Sequence, residues 1–270
     1  MPTYNAEKHV AESIESVLKQ SFEDFDFIIV DDGSTDKTLS IIRSYNDNRI
    51  KIIQNKHDFV GSLNIGLDSA SSKYIARMDA DDIMHIDRLR IQHSIMENQA
   101  NITICSSWMI PFGENITAGN VSRTFAGFVN HPLLHLLQTC FLFHPTIMLR
   151  TDFFRQHMLR YDKNYTYAED YKLWVEVAKL NGIFYVETQP LLYYRISESQ
   201  VSFRKHKEQR KISTQIRKEV LKHLIALIKE NYPSLSDIES SMNKAKTENL
   251  LNNDDIFKFF YSLFLKIKTS

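Results

Sequence analysis

The sequence predicts an α/β fold: a mostly parallel sheet flanked by helices, with a helical C-terminal extension. Two observations carry this. Short apolar runs alternate with amphipathic helical stretches across residues 1–107, the pattern of βαβ units. Two acidic clusters, "VDDGS" at 30–34 and "MDADD" at 78–82, close two of those runs. Ligands of a parallel sheet bind beyond the carboxyl ends of its strands, so both clusters are expected to face one crevice. The 270 residues, 43% of them hydrophobic, suffice for one large domain or a domain with an appendage.

The elements follow in order. Val10, Ile14, Val17 and Leu18 define a helix over 7–20, with Asn5 as its N-cap. "FDFIIV" is a strand at 25–30, ended by the turn "DDGSTD", where Gly33 supplies an unusual φ and Ser34 or Thr35 caps the next helix. That helix carries Leu39, Ile42 and Tyr45. "RIKIIQ" (49–54) and "KYIARM" (73–78) are strands, with a short helix at 61–70 between them. A helix at 83–97 and a strand at 101–107 complete the alternation. Beyond 110 it weakens. "HPLLHLLQTC" reads as a helix, "FHPTIML" as a strand and 168–182 as a helix stopped by Gly182. Two strands are expected near 183–197, a basic amphipathic helix at 206–230, and a last helix at 255–267.

Composition excludes several functions. Lys plus Arg equals Asp plus Glu at 33 each, so no net field favours nucleic acid. Cys105 and Cys140 make neither a disulfide framework nor a zinc pattern, and suit a reducing cytoplasm. The N-terminus lacks the apolar region of a signal peptide. Asn-x-Ser/Thr matches at Asn101, Asn115, Asn120 and Asn164 are therefore read as chance. No apolar run approaches the ~20 residues of a spanning helix.

Asp79, Asp81 and Asp82 raise the central question, because three carboxylates in four residues repel one another. Hard carboxylate oxygens on an Asp-x-Asp turn suit Mg²⁺ or Mn²⁺, which would neutralise that repulsion and stabilise a diphosphate leaving group. Alternatively Asp81 or Asp82 caps the following helix. At "AEDYKLW", Glu169 and Asp170 either complement a helix dipole or supply a general base.

"PTYNAEKHVAESIESVLKQSFEDFDFIIVDDGSTDKT", "SLNIGLDSASSKYIARMDADDI", "FHPTIMLR", "YAEDYKLW" and "LLYYRIS" occur in an order and spacing that resemble glycosyltransferase family 2, with its GT-A fold. The resemblance covers about residues 1–203. It implies a GT-A domain over 1–203, with a nucleotide-sugar half at 1–107 and an acceptor half at 108–203, then an extension at 204–270. It implies inverting, metal-dependent transfer of a sugar from a nucleotide diphosphate donor, UDP-sugar being expected, to a glycan or lipid-linked acceptor in surface polysaccharide synthesis. Thr3, Tyr4, Asn5, Glu7 and Asp32 match positions that line the nucleotide. Asp79 and Asp81 match the Asp-x-Asp that engages Mn²⁺ or Mg²⁺ and donor, with Asp82 a third candidate. Asp170 matches the catalytic base. Trp174 is read as core, and Arg195 as a candidate for the diphosphate charge.

Two departures follow. Ser197 stands where many relatives carry a histidine that approaches the metal, which leaves water to replace that ligand. Relatives also carry an apolar strand immediately before "PTYN". Its loss would approach ~10 kcal/mol against the ~5–15 kcal/mol of a whole domain. Met1 is accordingly expected to be an internal methionine. The apolar face Ile256–Ile267, with nearby lysines, suggests packing on the domain or peripheral membrane contact at the cytoplasmic face. Rival readings are a non-catalytic nucleotide-sugar-binding protein and a nucleotidyltransferase; no Gly-rich triphosphate loop supports the latter.

Overall fold

The computed structural model describes residues 1–113, 120–197 and 205–231, with isolated positions 252, 255, 258 and 262. A three-stranded parallel sheet joins β1 (Pro2–Thr3), β2 (Phe27–Asp31) and β3 (Ile50–Gln54). A six-stranded mixed sheet runs β4 (Tyr74–Ala76), β8 (Met148–Arg150), β6 (Ile102–Gly113), β9 (Ile183–Ile196) and β5 (Ile83–Met84), with β7 (Gly127–Phe128) also paired to β9. The helices are α1 (Val10–Leu18), α2 (Thr38–Arg43), α3 (Phe59–Ser69), α4 (Arg88–Asn98), α5 (Pro132–Gln138), α6 (Thr151–Gln156), α7 (Glu169–Lys179) and α8 (His206–Asn231).

Two apolar clusters form the core. One holds Leu134, Leu136, Trp174, Val177 and Phe184; the other holds Val10, Ile14, Ile29, Met96 and Leu192. Strand β6 serves both: Ile104 belongs to the first, Ile102 and Cys105 to the second, with a register shift between Ile102 and Ile104. Helix α8 buries Ile216, Val220, Leu224 and Ile228, spaced by four, against α5 and α7. Glu219 ties it down, accepting from Lys172 Nζ at 2.7 Å and Tyr165 Oη at 2.7 Å. Trp174 is core, fully buried.

Several expectations need correction. Asn5 does not cap α1; its φ is +46° and its Oδ1 accepts from the Thr35 N–H at 2.8 Å. Neither Ser34 nor Thr35 caps α2; Asp36 Oδ1 accepts from the Thr38 N–H at 2.9 Å. Residues 83–87 are not helical. Ile83 and Met84 pair with Tyr193 and Leu192, so neither Asp81 nor Asp82 is a helix cap. The two strands near 183–197 are one, β9, whose irregular register between Glu187 and Pro190 lets it continue past a proline. At the end of α7 the left-handed residue is Asn181, φ +59°. Gly182 is needed for another reason: a Cβ there would meet Val177 Cγ1 at 2.3 Å. "FHPTIML" opens as a 3₁₀ turn, His144–Thr146, before β8. The expected helix at 255–267 lies outside the described residues.

Between β2 and β4 lies a slot of about 550 Å³, lined by Phe27, Ile28, Leu63, Leu67, Tyr74 and Ile75 among others. Strand β1 pairs with β2 only at Pro2 and Thr3, and the Met1 amine donates to Ile28 O at 2.9 Å. Continuing that register backwards would lead an extended segment along Phe27 into the slot. Burial, and then the Arg77 charge, lower the Met1 amine to about 5 from an ordinary 8.0. While Met1 carries a free amine, the unfolded chain binds between those values a proton that the folded chain excludes, and stability is lost as pH falls from about 8 to about 5. Joining a short apolar extended segment ahead of Met1 converts the amine to an amide and fills the slot. We expect that extension to raise Tm at pH 8 by roughly 5 °C or more and to flatten the pH dependence. Thermal unfolding at pH 6 and pH 8 checks both; unchanged Tm and slope would contradict them.

Candidate active site

The acidic turn follows β4. Arg77 is two residues before Asp79, and its fork closes on that carboxylate, Nη1 to Oδ2 at 2.7 Å and Nη2 to Oδ1 at 2.6 Å. Arg77 is buried; burial works against its charge, and the Asp79 carboxylate outweighs it. The backbone of Arg77 is fixed on both sides: its N–H donates to Ile147 O at 3.0 Å, and its carbonyl accepts from Arg88 Nη2 at 2.8 Å.

The other two aspartates have no such partner. Asp82 is fully buried; its Oδ1 accepts from the Arg195 N–H at 2.9 Å, and its Oδ2 has no hydrogen-bond partner. Burial first, then the charges of Asp79 and Asp81, raise the Asp82 pKa well above its ordinary value. The same causes, burial and then Asp79, push Asp81 up to about 6. The Arg195 side chain is a clamp on this turn, Nε donating to Asp81 O at 2.7 Å and Nη2 reaching Glu12. Ser13 Oγ holds Asp82 O at 2.7 Å from α1. Arg195 thus braces the acidic turn from β9 through both its backbone and its side chain. Ser197 follows the end of β9.

Helix α7 brings a second carboxylate pair. Asp170 Oδ1 accepts from the Tyr171 N–H at 2.7 Å, and burial raises its pKa. Burial and then the Asp170 charge push Glu169 up to about 7, and its Oε2 is buried without a partner. Arg77 acts electrostatically on Asp81, Asp82, Glu169 and Asp170, so the turn and the start of α7 lie within electrostatic reach of one guanidinium. His144 and Tyr161 lie within that reach too: Nε2 and Oη are 2.8 Å apart, and both groups feel Arg77. Burial, and then Arg77, hold His144 well below its ordinary pKa, so it is a neutral imidazole. Sequence reading missed Arg77, His144 and Tyr161.

The first loop is zipped to the "DDGSTDK" turn. Asn5 bonds Thr35, Glu7 Oε2 accepts from the Lys37 N–H at 3.0 Å, and the Glu7 N–H donates to Asp36 Oδ2 at 3.1 Å. Asn5 and Glu7 therefore build the rim. Tyr4 is exposed, its ring 4.2 Å from that of His57. Thr3 is buried with an unpartnered Oγ1. Asp32 is buried and organises the loop after β3: Oδ1 accepts from the Asp58 N–H at 2.7 Å, Ser62 Oγ at 2.7 Å and Asn55 Nδ2 at 3.3 Å. His57 Nδ1 lies 3.7 Å from Oδ2.

Among the described residues, no three His, Cys, Asp or Glu side chains converge as a ready metal cage. The chemistry of the turn nevertheless fits a cation. Asp82 Oδ2 is orphaned, and Asp81 carries negative charge that nothing nearby compensates fully. Both oxygens of Asp79 meanwhile accept from Arg77.

Comparison with known proteins agrees with this architecture. The chain is 37% identical over 227 residues to an uncharacterized glycosyltransferase of Haemophilus influenzae, covering 80% of this chain and 70% of that one. It is 32% identical over 211 residues to WfgD of Escherichia coli, named UDP-Glc:alpha-D-GlcNAc-diphosphoundecaprenol beta-1,3-glucosyltransferase, covering 77% and 80%. The crystal structure of residues 1-349 of S. aureus TarS in complex with UDP-GlcNAc matches with a TM-score of 0.62 at 25% identity, covering 74% of this chain and 58% of that one. The GT-A-like α/β fold is thereby shown. The model of glycosyl transferase family 2 matches residues 1–158, more than half of the sequence, and the chain belongs to that family.

Proposed function

We propose that this protein transfers a sugar, with inversion, from a nucleoside diphosphate donor to a hydroxyl of a glycan or lipid-linked acceptor. The observation that carries the reading is that the buried Arg77, forked onto Asp79, also acts on Asp170 of α7, as does Asp79, which brings the acidic turn and α7 within electrostatic reach of each other. Asp170 accepts the acceptor's hydroxyl proton. That oxygen forms its bond to the anomeric carbon as the bond to the diphosphate breaks, and the nucleoside diphosphate leaves. The raised pKa of Asp170 makes it a stronger base than an exposed aspartate. Asp79 and Asp81 would hold a divalent cation, Mn²⁺ or Mg²⁺, which when bound supplies positive charge toward the leaving diphosphate.

A uridine donor is favoured by the UDP-GlcNAc complex of TarS and by the donor in the WfgD name. The diphosphoundecaprenol in that name favours a lipid-linked acceptor and a place at the inner membrane face. No helix among the described residues is long and apolar enough to cross a membrane. In this reading Tyr4, whose ring lies 4.2 Å from that of His57, contacts the nucleoside, and Asp32 holds the loop that carries His57.

The direct test is nucleoside diphosphate release from a panel of nucleotide sugars, with and without Mn²⁺. Asp170→Asn is expected to lower kcat by about 10²–10⁴-fold while UDP binding persists. Asp81→Asn is expected to remove the Mn²⁺ dependence. Release from no donor by the folded protein would refute transfer and favour the non-catalytic binding reading. The base must be deprotonated, so kcat/KM should fall as pH drops, with an apparent pKa above the ordinary aspartate value of about 3.9; a pH–rate profile measures it.

A separate expectation concerns Asp32. Asp32→Ala leaves the Asp58 N–H and the Ser62 hydroxyl unpaired, at about 1–3 kcal/mol each. Tm should fall by roughly 4 °C or more, alongside weaker UDP binding. An unchanged Tm with lost binding would instead make Asp32 a ligand contact only.

A further inference from the structure

We infer that Arg77 is a resident counter-cation for Asp79 and that it competes with the divalent ion for that carboxylate. The inference rests on the reading of Asp79 and Asp81 as the ion's ligands. Its basis is geometric. The guanidinium meets Asp79 fork to fork at 2.6 and 2.7 Å, so one lone pair on each Asp79 oxygen is taken while the pair is closed. The guanidinium half of the pair is sheltered, the Arg77 side chain being 8% exposed, whereas that of Asp79 is 31% exposed. Its backbone is pinned by Ile147 O and Arg88 Nη2, so the guanidinium is held at the turn by structure as well as by charge.

A second observation points to a cation at the same place. Asp82 is 0% exposed, and its Oδ2 lies beside the turn with no hydrogen-bond partner. One guanidinium satisfies Asp79 and leaves that oxygen unanswered. The turn therefore has more carboxylate than Arg77 alone can answer, and an arriving divalent ion must compete with the guanidinium for Asp79.

The consequence is an exchange. Without metal, Arg77 orients Asp79 and cancels its charge, so that carboxylate adds no net repulsion against an anionic donor. A bound ion would draw Asp79 away from Arg77, whose guanidinium would then keep its positive charge within electrostatic reach of Glu169 and Asp170. Metal affinity is thereby held below what the bare carboxylates would give.

The test compares the intact chain with Arg77→Met and Arg77→Lys. Mn²⁺ binding to the donor-free protein is followed by electron paramagnetic resonance, and UDP binding is followed by calorimetry in EDTA. In Arg77→Met, Mn²⁺ should bind at least tenfold more tightly and metal-free UDP at least tenfold more weakly. Arg77→Lys, which keeps the charge but not the fork, should fall between on both scales and guards against a Met variant that does not fold. Wild-type Mn²⁺ binding that is unchanged or weakened in both variants overturns the competition alone. Absence of Mn²⁺ binding in all three proteins, with UDP binding retained, overturns the metal reading and the competition with it. Opposite movement of the two affinities is the signature that a merely loosened structure would not produce.

Discussion

Three carboxylates in four residues, Asp82 buried and Asp79 and Asp81 half-buried, can share one strand end only if cations or protons stand among them, and that constraint organises the surrounding fold. Two buried guanidinium groups answer it. Arg77 neutralises Asp79 directly. Arg88 works through the backbone: its Nη2 donates to Arg77 O and Ile147 O, and its Nε to Gln92 Oε1. Gln92 in turn donates to Cys105 O and Thr146 O. Burial lowers the Arg88 pKa to about 9, so it remains charged at neutral pH. Asp82 is among the charges that support it. The protons account for the rest, since Asp81 and Asp82 both hold them more tightly than exposed aspartates do.

The same turn fixes elements that are far apart in sequence. Helix α1 reaches it through Ser13 Oγ to Asp82 O, and Ser16 Oγ accepts from the Met84 N–H at 3.0 Å. Gln20 adds a bond to His85 O at 2.8 Å. From the other side β9 supplies the Arg195 N–H and side chain. That delivery depends on the irregularity near Pro190, because it lets one continuous strand pair with β6 and then carry Leu192 and Tyr193 to β5. A turn this heavily bonded is a rigid platform rather than a loop, which suits a site that must hold reacting atoms in fixed geometry.

Much of this was legible in the sequence. The apolar spacing in α1, α7 and α8 announced three helices whose buried faces the structure shows, and the acidic clusters fell at strand ends as the βαβ pattern required. What was not legible has physical reasons. A two-residue strand such as β5 carries no periodicity, so "IMHIDRLR" read as the start of a helix. "ETQPLL" carries a proline and polar residues that read as a break, and only pairing with β6 makes it a strand. Asn5 looked like a cap because nothing local reveals that its side chain bonds a loop 30 residues away. Arg77 did leave a signal. In an extended segment, residues two apart share a face, so "RMD" places the guanidinium beside the first aspartate. His144 and Tyr161, 17 residues apart, left none.

Charge balance finally constrains how an anionic donor can enter. Arg77 and Asp79 cancel, leaving Asp81, Asp82, Glu169 and Asp170 against Arg88, which Asp82 supports, and Arg195, whose side chain bonds Asp81 O and Glu12. Glu169 and Asp82 are the best suited to stay protonated, being buried with an orphaned oxygen and raised pKa. Asp81 and Asp170 keep more of their charge. A diphosphate brought against that field would meet net repulsion, at about 4 kcal/mol per pair of unit charges 4 Å apart for an effective dielectric of about 20. Proton uptake by Asp170 would relieve it but would also abolish the base. A divalent ion relieves it without touching Asp170. Donor and ion are therefore expected to bind with positive coupling, each raising the affinity for the other by the same factor.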